Sequence, residues 1–318
     1  DACVTATHTL TMLTLKPGLF TAAGRDHAGA VWLDILGTDS SSDAPTAWLS
    51  GLGTPRARHH AQHKGSFGDV AVIGGAPGMS GAALLAARAA HAAGAGRVFV
   101  DLLDDHGPTL DLTRPELMFR RGWAHGTPDV LARSTVVCGC GGGDAVREPL
   151  PRILSLAGRL VLDADALNAL ASDTALAPLL RARAARGIST VLTPHPLEAA
   201  RLLGCSTAEI QADRLRAAQT LATRFDAIVV LKGSGSVIAA PQSVPRINST
   251  GNAALATGGT GDVLAGWLAG RWAPLDARDP AAAFAIAVQA VAEHGAAAEP
   301  APAGALRAGD LIERLVQR

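Results

Sequence analysis

Val70-Ala-Val-Ile-Gly-Gly-Ala-Pro-Gly-Met-Ser-Gly-Ala82 passes from a short apolar run through a glycine-rich turn into the Ala/Leu-rich segment Gly81–Ala93. A second β-branched run, Arg97–Leu102, follows at once. Strand, turn, helix and strand in this order is the pattern of a βαβ unit. The alternation continues along the chain. Strands are predicted at Val70–Ile73, Arg97–Leu102, Thr135–Cys138, Leu160–Leu162, Thr190–Leu192, Ala227–Leu231 and Val237–Ala239. Helices are predicted at Gly81–Ala93, Ala145–Leu156, Thr174–Arg186, Ala208–Arg224, Thr260–Trp272 and Pro280–Ala298. Several strands are apolar without alternation, as strands covered on both faces are. The expected fold is therefore α/β, with a mostly parallel central sheet and helices on both faces.

The 318 residues are 48% apolar, enough for a sizeable core. Basic and acidic side chains balance at 28 each, which argues against a nucleic-acid partner and for a small molecule. Arg, Asp or Gly interrupts every apolar run before the roughly 20 residues of a membrane span, so no membrane association is expected. Asp1–Leu10 lacks the basic and apolar blocks of a secretory leader, and a chain opening on Asp rather than Met reads as a fragment. Cys3, Cys138, Cys140 and Cys205 have neither zinc-site nor disulfide spacing and read as reduced thiols in the cytoplasm. Gly37–Ser50, rich in Ser, Asp, Pro and Thr, reads as a linker, so the expected division is a short unit at 1–50 and a catalytic domain at 51–318. No fixed-period repeat is apparent.

The strongest chemical signal is Asn252-Ala-Ala-Leu-Ala-Thr-Gly-Gly-Thr-Gly-Asp-Val-Leu-Ala-Gly266, a glycine-rich turn running into an apolar helix. Gly258, Gly259 and Gly261 allow close backbone approach, and the unpaired N–H groups of a helix start attract an anion such as phosphate. Asp262 falls in the first turn, placed to take a proton from a hydroxyl beside that phosphate. The same string is also a capped helix whose Asp complements the dipole. Gly74–Ala82 and Gly139-Cys-Gly-Gly-Gly-Asp144 offer open backbone at strand ends, and neither matches a P-loop or a Rossmann fingerprint.

In Thr193-Pro-His-Pro-Leu-Glu198 two prolines hold His195 in a rigid turn, as a ligand contact or as a structural histidine. Lys232-Gly-Ser-Gly-Ser236 offers a cation and two hydroxyls to a phosphate or ribose, and equally fits a Gly-Ser hairpin turn. Asp163 and Asp165 in Leu162-Asp-Ala-Asp-Ala-Leu-Asn168 suit Mg²⁺ or a sugar hydroxyl, or cap the next helix.

Taken in order, His63-Lys-Gly-Ser-Phe-Gly68, Gly74–Ala82, Leu162–Asn168, Leu192-Thr-Pro-His-Pro-Leu-Glu198, Val230-Leu-Lys-Gly233 and Gly251–Gly266 resemble the dehydratase domain of the NAD(P)H-hydrate repair enzymes, a ribokinase-like family. The resemblance implies dehydration of the S form of NADH or NADPH hydrate, with ADP, or ATP, as co-substrate and Mg²⁺ neutralising its phosphates. With ADP, AMP and phosphate remain. It implies Asp262 as the base, and Gly259, Thr260 and Gly261 as the backbone around the transferring phosphoryl group. Ala82, Gly141 and His195 would line the hydrated dinucleotide. Lys232, Gly233, Ser234, Gly235 and Ser236, with Gly261, would hold the nucleotide. A resident metal site on the protein is not implied; a homo-oligomer is.

The chain departs from the family in having Gly139-Cys-Gly-Gly-Gly143 for Gly-Pro-Gly-Leu-Gly, Pro196-Leu-Glu198 for Pro-Gly-Glu, and Ser236 where Thr is usual. The leading segment, from Leu13-Thr-Leu-Lys-Pro-Gly-Leu19 to Leu33-Asp-Ile-Leu-Gly37, resembles the end of the epimerase domain fused ahead of bifunctional members, so no epimerisation of the R hydrate is expected. The competing expectations are a small-alcohol kinase of the same fold and a silent nucleotide-binding remnant.

Overall fold

The computed structural model describes residues 3–38, 44–53, 59–299 and 306–317. Residues 39–43 of the expected linker lie outside the described residues. In the leading segment β1 (His8–Met12) pairs in parallel with β2 (Ala30–Asp34), and the short helix α1 (Gly24–Ala28) lies between them in sequence. This small sheet exposes Leu10, Met12, Trp32 and Leu33.

Among the described residues the main sheet has ten strands. β3 (Trp48–Ser50) and β4 (Asp69–Gly74) precede the helix α2 (Ser80–Ala92). β5 (Arg97–Leu102), β6 (Met118–Phe119), α3 (Pro128–Arg133), β7 (Ser134–Cys138), α4 (Leu150–Leu156) and β8 (Arg159–Leu162) follow. Next come α5 (Ala164–Ser172), α6 (Leu176–Ala185), β9 (Thr190–Leu192), α7 (Pro196–Leu203), α8 (Thr207–Ala212) and α9 (Arg214–Phe225). β10 (Ile228–Leu231), β11 (Val237–Ala239), β12 (Arg246–Asn248), α10 (Thr260–Trp272), α11 (Pro280–Ala298) and α12 (Ala308–Val316) complete the fold. Across the sheet the order is β3-β12-β11-β10-β9-β8-β7-β4-β5-β6, and β11 alone runs against its neighbours.

Successive strand residues face opposite sides, and the core divides accordingly. Val70, Val72, Val137 and Val161 pack with α2, α10, α11 and α12. Ala71, Ile73, Val136 and Leu160 pack with the helices of the other face. The sheet is thus covered on both sides, as its unbroken apolar strands require. α11 is long and apolar enough to cross a membrane by length and composition, contrary to the expectation that polar residues interrupt every such run; most of it is buried in this core.

Three sequence expectations are revised. β3 falls inside the stretch read as a linker, yet it pairs in parallel with β12, so the large sheet begins before residue 51. The helix expected over Ala208–Arg224 is two, because Asp213 breaks it and caps α9 by accepting from the Arg216 N–H at 2.9 Å. The one expected over Ala145–Leu156 begins as a separate 3-10 turn at Gly143–Arg147, where Pro149 and Pro151 interrupt the helical N–H ladder.

α2 and α10 cross backbone to backbone. A Cβ on Gly266 would lie 1.9 Å from the Ala86 carbonyl oxygen, and one on Gly270 would lie 2.4 Å from that of Ala90. Only glycine permits that approach, and both helices start at the carboxyl edge of the sheet.

Candidate active site

β4, β7, β8, β9 and β10 all end at one edge of the sheet, and their following loops carry the motifs singled out above. The strand order reverses between β4 and β7, the usual place for a ligand crevice in an open α/β sheet. There the two glycine-rich loops are bonded together. The Gly75 and Ala76 N–H groups donate to the carbonyls of Cys140 and Gly141 at 2.9 and 2.7 Å. Gly141 has φ +58, and a Cβ there would stand 2.9 Å from that of Ala82, so two of the expected substrate contacts are neighbours.

Asp163, at the end of β8, is the centre of the site. Its Oδ1 lies 2.6 Å from Lys232 Nζ and 2.8 Å from Thr193 Oγ1, and its Oδ2 faces Cys140 Sγ at 4.0 Å. Asp165 turns away to accept the Gly143 N–H at 2.8 Å. The two carboxylates therefore do not form the Mg²⁺ pair considered from their spacing. Instead Asp262 joins Asp163 and Cys140, with ligand-type atoms all within 4.8 Å of one another.

Gly259, at φ +91, is the N-cap of α10, and Asp262 lies in the first turn. The Gly261 N–H has no partner among the described residues, and a Cβ on Gly261 would sit 3.2 Å from Lys232 Nζ. A free donor, the helix start and an ammonium thus meet at one point. The Thr260 hydroxyl is not available there, because it lies 2.8 Å from the Leu255 carbonyl and 2.9 Å from that of Thr257, and so braces the loop. The Thr260 carbonyl accepts from His294 Nε2 at 2.9 Å. Burial pushes His294 down to about 4, so this ring is neutral and donates.

The electrostatics follow from crowding carboxyl groups in a buried space. Burial, helped by the Asp163 charge, pushes the Asp262 carboxyl up to about 6, against the pull of the Cys140 thiol and Lys232. Burial draws the Lys232 ammonium down, but Asp163 and Glu198 more than offset it, and its value is raised. Burial and the Asp262 and Asp163 charges push the Cys140 thiol well up, so it keeps its proton.

His195 is the N-cap of α7. Its Nδ1 accepts from the N–H groups of Leu197 and Glu198 at 3.1 and 3.3 Å, which leaves the proton on Nε2, 3.3 Å from Glu198 Oε1. Burial and Lys232 hold the ring below its ordinary value. Burial raises Glu198 itself to about 7, although Lys232 draws it the other way.

Lys232–Ser236 forms the hairpin turn that the sequence allowed. It joins antiparallel β10 and β11, and its Lys232, Gly233, Ser234 and Ser236 line a cavity of about 590 Å³ with Asn248, Thr250 and Gly261, whereas Gly235 packs against the Phe20 carbonyl instead. Gly233, at φ +139, lies against the guanidinium of Arg214, whose Nη2 donates to the Leu231 and Lys232 carbonyls at 3.1 Å and braces the turn. The Ser236 hydroxyl lies 3.1 Å from the Gly233 carbonyl. Ser234 and Ser236 both line the cavity. Gly235 adopts φ +62.

Arg25, Asp26, Asn248 and His294 also line this cavity and were not anticipated. Arg25 and Asp26 lie in the charged Gly24–Gly29 stretch of the leading segment, which the sequence did not connect to the catalytic domain, and Asn248 and His294 stand outside the quoted motifs. Thr193 and Cys140 stood inside quoted motifs, and only the folded loops reveal their partners.

A family model described as NAD(P)H-hydrate dehydratase matches residues 70–317. The chain is 38% identical over 318 residues to the bifunctional NAD(P)H-hydrate repair enzyme Nnr of Escherichia coli, an alignment covering 94% of this chain and 57% of that protein. It is 43% identical over 221 residues to the ADP-dependent (S)-NAD(P)H-hydrate dehydratase of Neisseria meningitidis, covering 66% of this chain and 71% of that one. Among solved structures it resembles the ADP/ATP-dependent NAD(P)H-hydrate dehydratase of Bacillus subtilis co-crystallised with ATP/Mg²⁺, with a TM-score of 0.68 and 31% identity over 83% of this chain and 93% of that chain.

Proposed function

The chain belongs to the NAD(P)H-hydrate dehydratase family, and from that premise we propose that it returns the S form of hydrated NADH or NADPH to the reduced dinucleotide, with ADP as phosphoryl donor, in metabolite repair. The observation that carries the reading is Asp262: a carboxyl poised at about 6, one residue after a free helix-start N–H and beside an ammonium.

Asp262, once ionised, takes the proton of the hydrate's ring hydroxyl. The freed oxygen bonds to the terminal phosphorus of ADP as the bridging P–O bond breaks and AMP departs. The Gly261 amide and Lys232 receive the charge that develops on the phosphoryl oxygens. Phosphate is a far better leaving group than hydroxide. The ring-nitrogen lone pair expels it, loss of a proton from the adjacent ring carbon restores the double bond, and AMP, phosphate and the reduced dinucleotide remain.

The loop Lys232–Ser236 and Gly261 hold the nucleotide in the cavity that all of them but Gly235 line, and Ala82, Gly141 and His195 contact the dinucleotide. The donor set nearest the helix start is a protonated thiol, Asp262, and a carboxylate already tied to Lys232, which is no oxygen cage for Mg²⁺. Mg²⁺ is accordingly assigned to the nucleotide phosphates, with no step routed through it.

The leading segment is read as the end of an epimerase domain, supported by an alignment that takes in 94% of the chain with the bifunctional enzyme against 66% with the Neisseria dehydratase. The apolar side chains exposed on β1 and β2 fit the same reading, as a face that the rest of such a domain would cover. The four free cysteines support a reducing, cytoplasmic setting.

Incubating the protein with hydrated NADH, Mg²⁺ and either ADP or ATP tests the reading through return of the reduced-nicotinamide absorbance. Asp262→Asn is expected to abolish that return while nucleotide still binds. Absence of nucleotide-dependent recovery in the unaltered protein overturns the assignment.

A further inference from the structure

Part of the wall of the proposed nucleotide cavity comes from a segment far away in sequence. Arg25 and Asp26, on α1, line it together with Lys232, Ser236 and Gly261. Three ties fasten this segment to both rims. The Ala22 N–H donates to the Ser234 carbonyl at 3.0 Å, on the hairpin turn. Gly235 approaches the Phe20 carbonyl so closely that a Cβ would lie 1.8 Å from its oxygen. On the opposite rim, Arg25 Nη2 lies 3.1 Å from each of the carbonyl oxygens of Ser249 and Gly251.

We propose that residues 17–28 form a working part of the nucleotide site, with Arg25 a positioning residue that fixes the Ser249–Gly251 turn opposite the hairpin turn. The inference rests on the assignment of this cavity to ADP. The turn lies on the cavity wall through Thr250, Gly251 and Asn252. Without Arg25, its Ser249 and Gly251 carbonyls lose a charged donor. A ligand that contacts both rims binds the docked arrangement in preference to the undocked one. By linkage it then holds the segment in place to the same extent that the docked segment strengthens its own binding. The two rims and the segment between them act as one clasp.

The test uses the full chain with Mg²⁺ and ADP. Saturating ADP is expected to slow amide hydrogen exchange over residues 20–28, including the Ala22 amide. Arg25→Ala is expected to weaken the ADP Kd about tenfold, the loss of one charged hydrogen-bonding group, and to raise the nucleotide KM with kcat retained. Arg25→Lys recovers part of the loss. A purely structural role for Arg25 would lower the melting temperature without separating KM from kcat. If ADP binds the unaltered protein but leaves exchange in residues 20–28 unchanged, and Arg25→Ala binds it equally well, the inference is overturned and the functional assignment stands. If ADP does not bind the unaltered protein, both fall.

Discussion

Lys232 Nζ and Asp163 Oδ1, 69 residues apart in sequence, stand 2.6 Å from each other at the ends of β10 and β8, with Asp163 almost wholly buried. The pair fixes two strand ends and sets the charge around Asp262. Removing the ammonium alone leaves a buried carboxylate without its counter-charge, which is costly. Lys232→Met is therefore expected to destabilise the fold by roughly 3–5 kcal/mol, measured by urea unfolding. Adding Asp163→Asn should recover most of that stability and none of the activity; a double variant as unstable as the single one would contradict the pairing.

The Cys140 thiol, kept protonated, lies within 4.8 Å of the Asp262 carboxyl and holds it lower than burial alone would. Because the base must be ionised, kcat/KM should rise with pH through about 6 and then level off. Cys140→Ala removes the donor, so the rising limb should move to higher pH, whereas Cys140→Ser keeps a donor and should not move it upward. A limb that stays put in the alanine variant would show that the thiol does not bear on the base.

Glu198 has a folded value of about 7 against an ordinary 4.5. A carboxyl raised on folding is penalised when it ionises. Its penalty is absent below pH 4.5, grows between 4.5 and 7, and is complete above. The folded protein should lose on the order of 3 kcal/mol across that window from this group. Glu198→Gln should flatten the decline while its amide oxygen still accepts the His195 N–H. Asp262 adds a slope of the same sign below about pH 6, and His294, held at about 4 against an ordinary 6.5, adds one of opposite sign below about pH 6.5; the variant retains both, so its difference from the unaltered protein isolates Glu198. Melting temperatures at pH 4.5, 6 and 8 provide the check.

Gly266 has no room for a methyl group against the Ala86 carbonyl. Gly266→Ala should cost about 1–3 kcal/mol through a forced separation of α2 and α10. Gly81→Ala, at the start of the partner helix α2 with open space around it, should cost little. Equal stabilities in chemical denaturation would contradict the close crossing.

The apolar strand runs made the parallel sheet legible, because strands buried on both faces have little other reading. Ordered motifs likewise announced which strand ends would converge. Pairings between distant loops were hidden. Nothing in Leu162–Asn168 says that Asp163, and not Asp165, meets Lys232, since that choice depends on which carboxylate the Gly143 amide takes. His195 was equally opaque: its rigid turn was visible, its use of Nδ1 as a helix cap was not. β3 escaped because a three-residue edge strand in a polar stretch has too few apolar positions to make a pattern.

The contact of α2 and α10 through bare glycine backbone has a consequence for anyone wishing to redirect the proposed activity. The loops at the heads of these helices, one at Gly74–Ala82 and the other at Gly258–Asp262, flank the reacting centre, and no side chain at Gly266 or Gly270 can be trimmed to spread them. Enlarging the site for a bulkier ring must come from rebuilding the loops themselves, residue by residue, on a spacing that the helices do not yield.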